Sequence, residues 1–355
     1  MPKHPIRVLV VDDSALVRQI LAQGLPLDPA IEVVGTASDP YIARDKIIQL
    51  KPDVLTLDVE MPRMDGVAFL KRLMPQFPLP VVMVSALTAK GKQITIEALE
   101  AGAVDFVTKP STSVARGLNT MLAELRAKIK VASTANVSHY RRDRTEVQEK
   151  VRTPVDTAAL AESTDKVVAI GASTGGTEAI RKVLTRLPAS CPGVVIVQHM
   201  PAGFTRMFAE RMDQLCAMRV KEAVGGDRVM PGQVLIAPGG KHMSVIRSGG
   251  IYQVLCREGD LVNGHCPSVD VLMNSVAKQV GANAVGAILT GMGGDGGKGL
   301  LAMRRAGAKT LAQDQNSSVV FGMPKVAYEL GGTDRLVPID DIGPALLELL
   351  APKRP

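Results

Sequence analysis

Aromatic side chains are scarce in this chain of 355 residues: tryptophan is absent, and Phe, Tyr and Trp together make up only 3% of it. A nucleic-acid groove usually interleaves aromatic side chains with basic ones, so this composition argues against such a groove. The net charge of +7 lies mostly in the C-terminal part of the chain, where the basic residues are spread out rather than clustered with aromatic side chains. We therefore expect no nucleic-acid partner and interpret the positive excess as attraction to an acidic protein surface.

Cysteine is scarce as well. The four cysteines form no C-x-x-C pair and no zinc-like spacing with the five histidines. Because folds that depend on disulfides are usually short and secreted, we expect reduced and mostly buried thiols. Long apolar runs are missing too, both within the chain and in a signal-type segment at its start. These absences predict a cytoplasmic protein with no direct membrane insertion.

The chain has enough apolar material for two domains. Hydrophobic residues account for 46% of it, and its length exceeds what one core usually organises. In residues 1–130, apolar runs alternate with helical patterns, which is typical of a parallel sheet covered on both faces. The predicted strands are Ile6–Val11, Glu32–Thr36, Val54–Asp58, Val81–Ser85 and Asp105–Thr108, and the predicted helices are Ser14–Gln23, Asp39–Gln49, Val67–Met74, Ile94–Ala101 and Val114–Lys130. We predict a doubly wound, flavodoxin-like domain.

The helical and strand patterns lapse in residues 131–165, which are rich in Ser, Thr, Asn and mixed charge. We interpret this stretch as an interdomain linker, compatible with a short helix around Ala158–Glu162. It is either a surface excursion without a role or a segment that sets how the domains dock.

A second α/β alternation fills residues 166–355. It predicts a domain with a mostly parallel sheet and one inserted hairpin around Gly249 and Gly250. The predicted strands are Val167–Ile170, Gly193–Gln198, Val234–Ala237 and Ala284–Leu289, and the predicted helices are Glu178–Leu187, Phe204–Leu215 and Val269–Val280.

Acidic residues stand at strand ends in the first domain. Asp12 and Asp13 follow the first strand and Asp58 ends the third, so their carboxylates should converge at the carboxyl edge of the sheet. A divalent cation relieves the repulsion among them, and oxygen ligands favour Mg²⁺. Asp58 can then attack phosphorus and form an acyl phosphate, with Lys109 and Ser85 offering a cation and a hydroxyl to the phosphoryl oxygens.

Five motifs in this region resemble the response-regulator receiver domain, from about Ile6 to Leu125. They are Asp12-Asp13, Asp58, Met61-Pro62 with Asp65-Gly66, Ser85-Ala86 and Lys109-Pro110. The resemblance implies phosphorylation at Asp58 and phosphate sensing by Ser85 and Lys109. It also implies an aromatic switch at Phe106 and Mg²⁺ ligands from Asp12, Asp13, Asp58 and the carbonyl of Glu60.

A serine, a histidine and an aspartate follow predicted strands of the second domain. Ser173 lies in a G-x-S-x-G pattern between a strand and a helix, which suits a nucleophile but also a phosphate-binding turn. His199 follows the strand Gly193–Gln198 and is placed to act as general base. Asp295, in a glycine-rich loop after Ala284–Leu289, is placed to orient that imidazole. This constellation predicts a hydrolase that uses no metal or other cofactor at its Ser173 site.

The order Ser, His, Asp along the chain differs from the Ser, Asp, His of α/β-hydrolases, so we expect a different fold. The sequence from about Val167 to Leu350 instead resembles the catalytic domain of chemotaxis protein-glutamate methylesterases (CheB). The motifs that carry the resemblance are Gly171-Ala172-Ser173-Thr174-Gly175-Gly176, Gln198-His199-Met200-Pro201, Phe204-Thr205, Pro267-Ser268-Val269-Asp270 and Gly291-Met292-Gly293-Gly294-Asp295-Gly296.

This resemblance implies hydrolysis of glutamate methyl esters, and of glutamine amides, on methyl-accepting chemoreceptors, with release of methanol or ammonia. It implies a chemotaxis histidine kinase as phosphodonor. The main-chain amides near Thr174 and Met292 become candidate oxyanion donors. Arg206 and His265 become candidate contacts to an acidic substrate, and Asp270 either caps a helix or supports the site.

The two resemblances together suggest a switchable enzyme. Our hypothesis is that the receiver restricts access to the Ser173 cleft and that phosphorylation of Asp58 shifts the domains toward an open arrangement. A non-catalytic, phosphorylation-dependent adaptor is an alternative, in which the glycine-rich loops bind a partner or nucleotide. A receiver-coupled transcription factor is a third idea, disfavoured because no helix-turn-helix follows the linker.

Overall fold

The chain divides into two compact units, Met1–Glu146 and Val147–Pro355. The computed structural model describes residues 4–86, 88–110, 115–140 and 165–351. Most of the predicted linker, including the predicted helix around Ala158–Glu162, lies outside the described residues. The predicted domain limits of 1–130 and 166–355 therefore stay predictions.

The first unit consists of β1 (Ile6–Val11), α1 (Ala15–Gly24), β2 (Ile31–Ala37), α2 (Pro40–Leu50), β3 (Val54–Asp58), α3 (Gly66–Leu73), β4 (Val81–Ser85), α4 (Ala89–Glu100), β5 (Asp105–Thr108) and α5 (Ala115–Ala132). Its five strands form one sheet in the order β2-β1-β3-β4-β5, and every neighbouring pair of strands is parallel. This confirms the doubly wound fold.

Local sequence explains where these helices begin. Side chains at four helix starts each accept a hydrogen bond from a main-chain N–H of the first turn, which satisfies a donor that would otherwise lack a partner. The capping residues are Ser14, Asp39, Asp65 and Thr88. Strands β3 and β4, in contrast, are buried along their whole length, as expected for the centre of a parallel sheet.

The second unit consists of β6 (Val167–Ala172), α6 (Gly176–Leu184), β7 (Gly193–Gln198), α7 (Phe204–Leu215), β8 (Arg219–Glu222), β9 (Gln233–Ile236), β10 (His242–Ser248), β11 (Ile251–Arg257), α8 (Val269–Gln279), β12 (Ala284–Ile288), α9 (Gly297–Arg305), β13 (Lys309–Gln313), α10 (Met323–Glu329), β14 (Leu336–Val337) and α11 (Ile339–Leu350). Seven of its strands form a sheet in the order β14-β13-β12-β6-β7-β9-β8, again parallel throughout. The predicted hairpin is present as a separate antiparallel pair, β10 with β11.

Strand β6 lies at the point where the order of the strands reverses. Its neighbours are β7 on one side and β12 on the other, so the chain that follows it lies between two other strand ends. In open α/β sheets, such a switch point is where ligands bind. The register pairs Ala172 with Gln198, so the next residues, Ser173 and His199, leave the sheet side by side.

The four cysteines differ in their burial. The four cysteines are free, but only Cys191 is buried and the other three are half-buried, less than expected. Burial raises the pKa of the Cys191 thiol to about 12, so it is an inert packing group. Among the helices in the described ranges, none has the length and apolar character needed to cross a membrane.

Candidate active site and phosphorylation site

Ser173 stands on a tight turn between β6 and α6. Its N–H donates to the carbonyl of Thr290 at 3.0 Å, and its own carbonyl accepts from the N–H of Gly176 at 2.7 Å. Gly175 adopts a left-handed φ of +75°, which a residue with a side chain rarely does. The turn thus raises the serine above the carboxyl edge of the sheet, as the G-x-S-x-G pattern predicts.

The side chain of Gln198 holds the main chain in place at Ser173 and at His199. Its buried amide nitrogen donates to the carbonyl of Ser173 at 2.9 Å and to the carbonyl of His199 at 3.2 Å. The ends of β6 and β7 are therefore tied together by one side chain. Gln198 belongs to one of the motifs that carry the family resemblance, but the sequence assigns it no role.

His199 and Asp295 lie within hydrogen-bond distance of each other, as the sequence predicts. The Nε2 atom of His199 lies 2.8 Å from Oδ2 of Asp295, and the two side chains are 6% and 1% exposed. The other ring nitrogen, Nδ1, is buried and has no hydrogen-bond partner among the described residues, Ser173 included. Since Asp295 engages Nε2, Nδ1 is the nitrogen left to take a proton.

Asp295 is held at the N-terminus of α8. It accepts hydrogen bonds from the side chains of His199, Asn263 and Ser268 and from the main-chain N–H groups of Val269 and Asp270. Burial by itself would raise the pKa of this carboxyl, but the hydrogen bonds outweigh burial and hold the pKa well below its usual range. The carboxylate is therefore ionised at every pH at which an imidazole works as a base.

Asn263 and Ser268 are neighbours of Asp295 to which the sequence assigns no role, although Ser268 belongs to one of the motifs that carry the family resemblance. Ser268 caps α8 and also donates to Asp295 at 2.8 Å. Asn263 donates to Asp295 and to Asp270 at 2.7 Å each. A cap before a helix and an Asn-Gly turn are both readable in the sequence, but neither pattern says which carboxylate the side chain meets.

His265 lies directly on the imidazole ring of His199. Its ring stacks on that of His199 with centroids 3.7 Å apart and planes 12° from parallel. Burial, and then the neighbouring His199, lower the pKa of His265 to about 4, so this ring is neutral at physiological pH. Arg206 is the other residue predicted to contact the substrate. Its side chain is 71% exposed on α7 and pairs with Glu210 on the same helix at 3.1 Å.

The two stretches proposed as oxyanion donors lie against each other. The Thr290 hydroxyl donates to the carbonyl of Thr174 at 3.0 Å. A Cβ atom added at Gly291 would lie 2.7 Å from Cβ of Ser173. Met292 follows in a loop with its side chain half exposed. The roles of the Thr174 and Met292 amides stay predictions.

The acidic cluster of the first unit has formed as predicted. One carboxylate oxygen from each of Asp12, Asp13 and Asp58 lies within 4.8 Å of the others. Lys109 bridges two of these acids, with Nζ 2.9 Å from Asp12 and 2.9 Å from Asp58. Three closely spaced carboxylates with hard oxygen donors fit Mg²⁺, which combines protein carboxylates with water and phosphate oxygens.

At both Asp58 and Lys109, burial and the neighbouring charge of opposite sign shift the pKa in opposite directions. Burial raises the pKa of Asp58 to about 6; Lys109 lowers it in part, and the negative charge of Asp12 raises it further. Burial lowers the pKa of Lys109, but the two carboxylates outweigh burial and leave that pKa above its usual value. The lysine thus stays charged and compensates two buried acids.

The remaining receiver candidates lie on β4, β5 and the loop after β3. Ser85 is buried, with its hydroxyl donating to the carbonyl of Gly91 at 3.2 Å and accepting from Thr95 at 2.7 Å. Phe106 is buried on β5 with the Lys128 ammonium 5.1 Å from its ring centre. Glu60 is exposed just beyond β3. The phosphate-sensing, switch and metal-binding roles of these residues stay predictions.

The fold and the two clusters define a receiver-type unit with an acidic carboxyl edge, joined in one chain to an α/β unit with a hydrolase-type edge. Comparison with known proteins gives the family. The sequence model of the CheB methylesterase family matches residues 168–346, and that of the response regulator receiver domain matches residues 8–138. The chain belongs to the CheB methylesterase family.

Relatives that resemble the whole chain carry the same two activities in their name. A protein-glutamate methylesterase/protein-glutamine glutaminase of Syntrophotalea carbinolica is 70% identical over 354 residues, covering 100% of both chains. One of Sulfurimonas denitrificans is 51% identical over 350 residues, covering 98% of this chain and 99% of that protein. The crystal structure of the Thermotoga maritima CheB methylesterase catalytic domain matches with a TM-score of 0.51 and 39% identity, covering 52% of this chain and 98% of that one.

These matches confirm the predicted family, the receiver domain and the enzyme class. They favour a hydrolase over both alternatives raised by the sequence, the adaptor and the receiver-coupled transcription factor. The assignments of individual site residues do not follow from them.

Proposed function

We propose that this protein is a phosphorylation-activated protein-glutamate methylesterase that also deamidates glutamine side chains, acting on chemoreceptors in the cytoplasm. The observation that carries the proposal is the hydrogen bond between His199 and Asp295 beside Ser173, in a chain that is 70% identical to a protein of that name. Ser173 is the nucleophile, His199 the general base and Asp295 the residue that orients the base.

The first half of the reaction acylates the serine. Ser173 Oγ attacks the γ-carbonyl carbon of the glutamate ester, and its proton passes to Nδ1 of His199. Asp295 stabilises the imidazolium so formed, and the amides of Thr174 and Met292 donate to the oxyanion. The C–O bond to the methoxy group then breaks, His199 returns the proton to that oxygen, and methanol leaves.

The second half releases the product. Water attacks the glutamyl ester of Ser173 and gives a proton to His199, which passes it to Ser173 Oγ as the acyl bond breaks. The product is a free glutamate side chain. The same steps on a glutamine amide release ammonia instead of methanol. Arg206 and His265 contact the acidic substrate in this scheme.

The receiver unit supplies the control. Asp58 accepts the phosphoryl group from a chemotaxis histidine kinase, and phosphorylation raises the rate at Ser173. Asp12, Asp13 and Asp58, with the carbonyl of Glu60, would hold Mg²⁺, which neutralises charge on the phosphoryl oxygens when bound. Lys109 replaces part of its contact with Asp58 by a contact to a phosphoryl oxygen. The Ser85 hydroxyl donates a hydrogen bond to another phosphoryl oxygen, and Phe106 acts as the aromatic switch.

The test is methanol release from a methyl-labelled chemoreceptor membrane fraction, measured with and without acetyl phosphate and Mg²⁺. We expect release to rise with the phosphodonor in the wild type, to vanish in Ser173→Ala, and to lose its response to the phosphodonor in Asp58→Asn. Ser248→Ala, an exposed serine at the end of β10, is the control and should behave as wild type. No release under any condition would overturn the proposal and favour the adaptor.

A further inference from the structure

One short turn approaches the acid–base pair from the side of α8. In residues 262–265, the N–H of Val262 donates to the carbonyl of His265 and the reverse bond is also present, both at 3.0 Å. The two central residues are left-handed, Asn263 at φ +53° and Gly264 at φ +82°. Asparagine and glycine tolerate this conformation better than other residues. The turn therefore carries two side chains to the site, the ring of His265 and the amide of Asn263.

The amide of Asn263 joins two buried carboxylates. Its nitrogen lies 2.7 Å from Oδ1 of Asp295 and 2.7 Å from Oδ2 of Asp270, while those two residues are 2% and 6% exposed. Ionised carboxylates only accept hydrogen bonds, so the NH₂ end of the amide, which has two donors, must face them. Asn263 itself lies at the surface, so a surface residue reaches inward to the two acids.

Asp270 is itself fixed in place. Its carboxylate oxygen Oδ1 accepts a hydrogen bond from the main-chain N–H of Gly299 at 2.6 Å. Within the described part of the chain, Asn263 is the one side chain that donates to both Asp270 and Asp295. Asp295 is thereby linked through Asn263 to an anchored acid at the start of α8.

We propose that Asn263 is a positioning residue for hydrolysis at Ser173, acting through the carboxylate of Asp295 on the ring of His199. This inference rests on the proposed function. Oδ1 of Asp295 accepts from Asn263, and Oδ2 accepts from His199, so rotation of the carboxyl about its Cβ–Cγ bond would move both contacts. Asn263 resists that rotation and keeps Nδ1 of His199 directed away from Asp295. Displacements of about 1 Å in such groups cost on the order of a hundredfold in rate.

The test uses two variants with different side effects. Asn263→Gly removes the amide and keeps a residue that adopts a φ of +53° without strain. Asn263→Asp keeps the size of the side chain and tolerates the left-handed backbone conformation. Its carboxylate, however, faces the carboxylates of Asp270 and Asp295 and has no hydrogen to donate to them. Asn274→Ala is the matched control, because Asn274 is also a surface asparagine that donates to Asp270, through the main-chain carbonyl rather than the carboxylate.

Two activities are measured on the full chain with acetyl phosphate and Mg²⁺: methanol release, giving kcat and KM, and the rate at which a fluorophosphonate labels Ser173. We expect kcat and the labelling rate to fall together by about 10- to 100-fold in both Asn263 variants, with KM within about twofold of wild type. The final extent of labelling counts the folded sites, so a folding defect does not imitate the result. Asn274→Ala should match the wild type in all three quantities.

Unchanged kcat and labelling rate in both variants would overturn the inference. A raised KM with unchanged kcat would also overturn it, since it would make Asn263 a substrate contact instead. Failure of the proposed function is a separate result. If the wild type releases no methanol but labelling of Ser173 slows in Asn263→Gly, the positioning role stands and the substrate assignment falls.

Discussion

The imidazole rings of His199 and His265 stack face to face, with centroids 3.7 Å apart. The contact shields one face of the proposed base from water and leaves the edge that carries Nδ1 for the serine. His265 is neutral because burial and His199 lower its pKa to about 4. The ring of His265 can therefore have two roles: it can contact the substrate, or it can pack against the proposed base. An experiment can separate these two roles.

Replacing His265 should separate them. His265→Phe keeps an aromatic face on His199, whereas His265→Ala removes it. If packing dominates, we expect kcat to fall about tenfold in the alanine variant and less than about threefold in the phenylalanine variant, at similar KM. Steady-state methanol release measures both quantities. A rise in KM of equal size in the two variants would assign His265 to substrate binding.

Stability of the catalytic unit should depend on pH through the same residue. His265 has a pKa of about 4 in the folded protein, against the usual 6.5. Between these values the unfolded chain binds more protons than the folded one, so acid favours unfolding. This contribution is intact above pH 6.5 and is lost progressively as the pH falls toward 4. The free energy of unfolding, measured in urea at pH 7.5, 6 and 5, should depend less on pH in His265→Phe than in the wild type. An equal pH dependence in the two proteins would contradict the expectation.

Lys109 should stabilise the receiver unit. Its ammonium group contacts Asp12 and Asp58, whose side chains are 1% and 6% exposed. Lys109→Met leaves two buried acids uncompensated, and we expect the free energy of unfolding to fall by about 2–3 kcal/mol in EDTA, less than for a fully buried pair because the lysine is partly exposed. Millimolar Mg²⁺ should restore part of the loss. Thermal unfolding gives the measurement.

Lys130→Met is the control for that experiment. Lys130 pairs with Asp28 at 2.7 Å but is 47% exposed. An exposed pair contributes about 0–1 kcal/mol, so little should change and Mg²⁺ should have no added effect. Equal losses in the two lysine variants would contradict the proposed compensation.

Gly291 should tolerate no side chain. An added Cβ would lie 2.7 Å from Cβ of Ser173 and would also meet the sulfur of Met323. We expect Gly291→Ala to destabilise the catalytic unit by about 1–3 kcal/mol and to reduce kcat by displacing the nucleophile. Gly225→Ala, where the nearest atom would be 3.7 Å away, should have neither effect. Thermal unfolding and methanol release measure the two quantities, and a fully active Gly291→Ala protein would contradict the packing argument.

Strand prediction succeeded where apolar runs are buried on both faces. The structure gives Ile6–Val11, Val54–Asp58, Val81–Ser85 and Asp105–Thr108 the bounds that the sequence predicts. Helix α4 begins at Ala89, five residues earlier than predicted, because its start is set by the Thr88 cap and its first turn has no apolar face. Strands β8, β13 and β14 and the last three helices are absent from the elements predicted from the sequence. Of these, β14 has two residues and α11 contains Pro344, so neither shows an ordinary pattern.

Strand-end logic also predicted which candidate residues meet. It brings Asp12, Asp13 and Asp58 together in one sheet, and Ser173, His199 and Asp295 at one edge of the other, because parallel strands share a carboxyl edge. It could not predict that Nε2 rather than Nδ1 of His199 meets Asp295. Nor could it predict the contact from Asn263 to Asp295, which depends on how a loop 32 residues away folds back.

The five hydrogen bonds to Asp295 have a practical consequence for spectroscopy. Two of them come from the main-chain amides of Val269 and Asp270, in the first turn of α8. Amide protons that are hydrogen-bonded to an ionised carboxylate have unusual chemical shifts. They also exchange slowly with solvent for as long as the hydrogen bond is present. In a nitrogen-15 NMR spectrum, these two signals would therefore act as internal reporters of an assembled catalytic site, readable without any substrate.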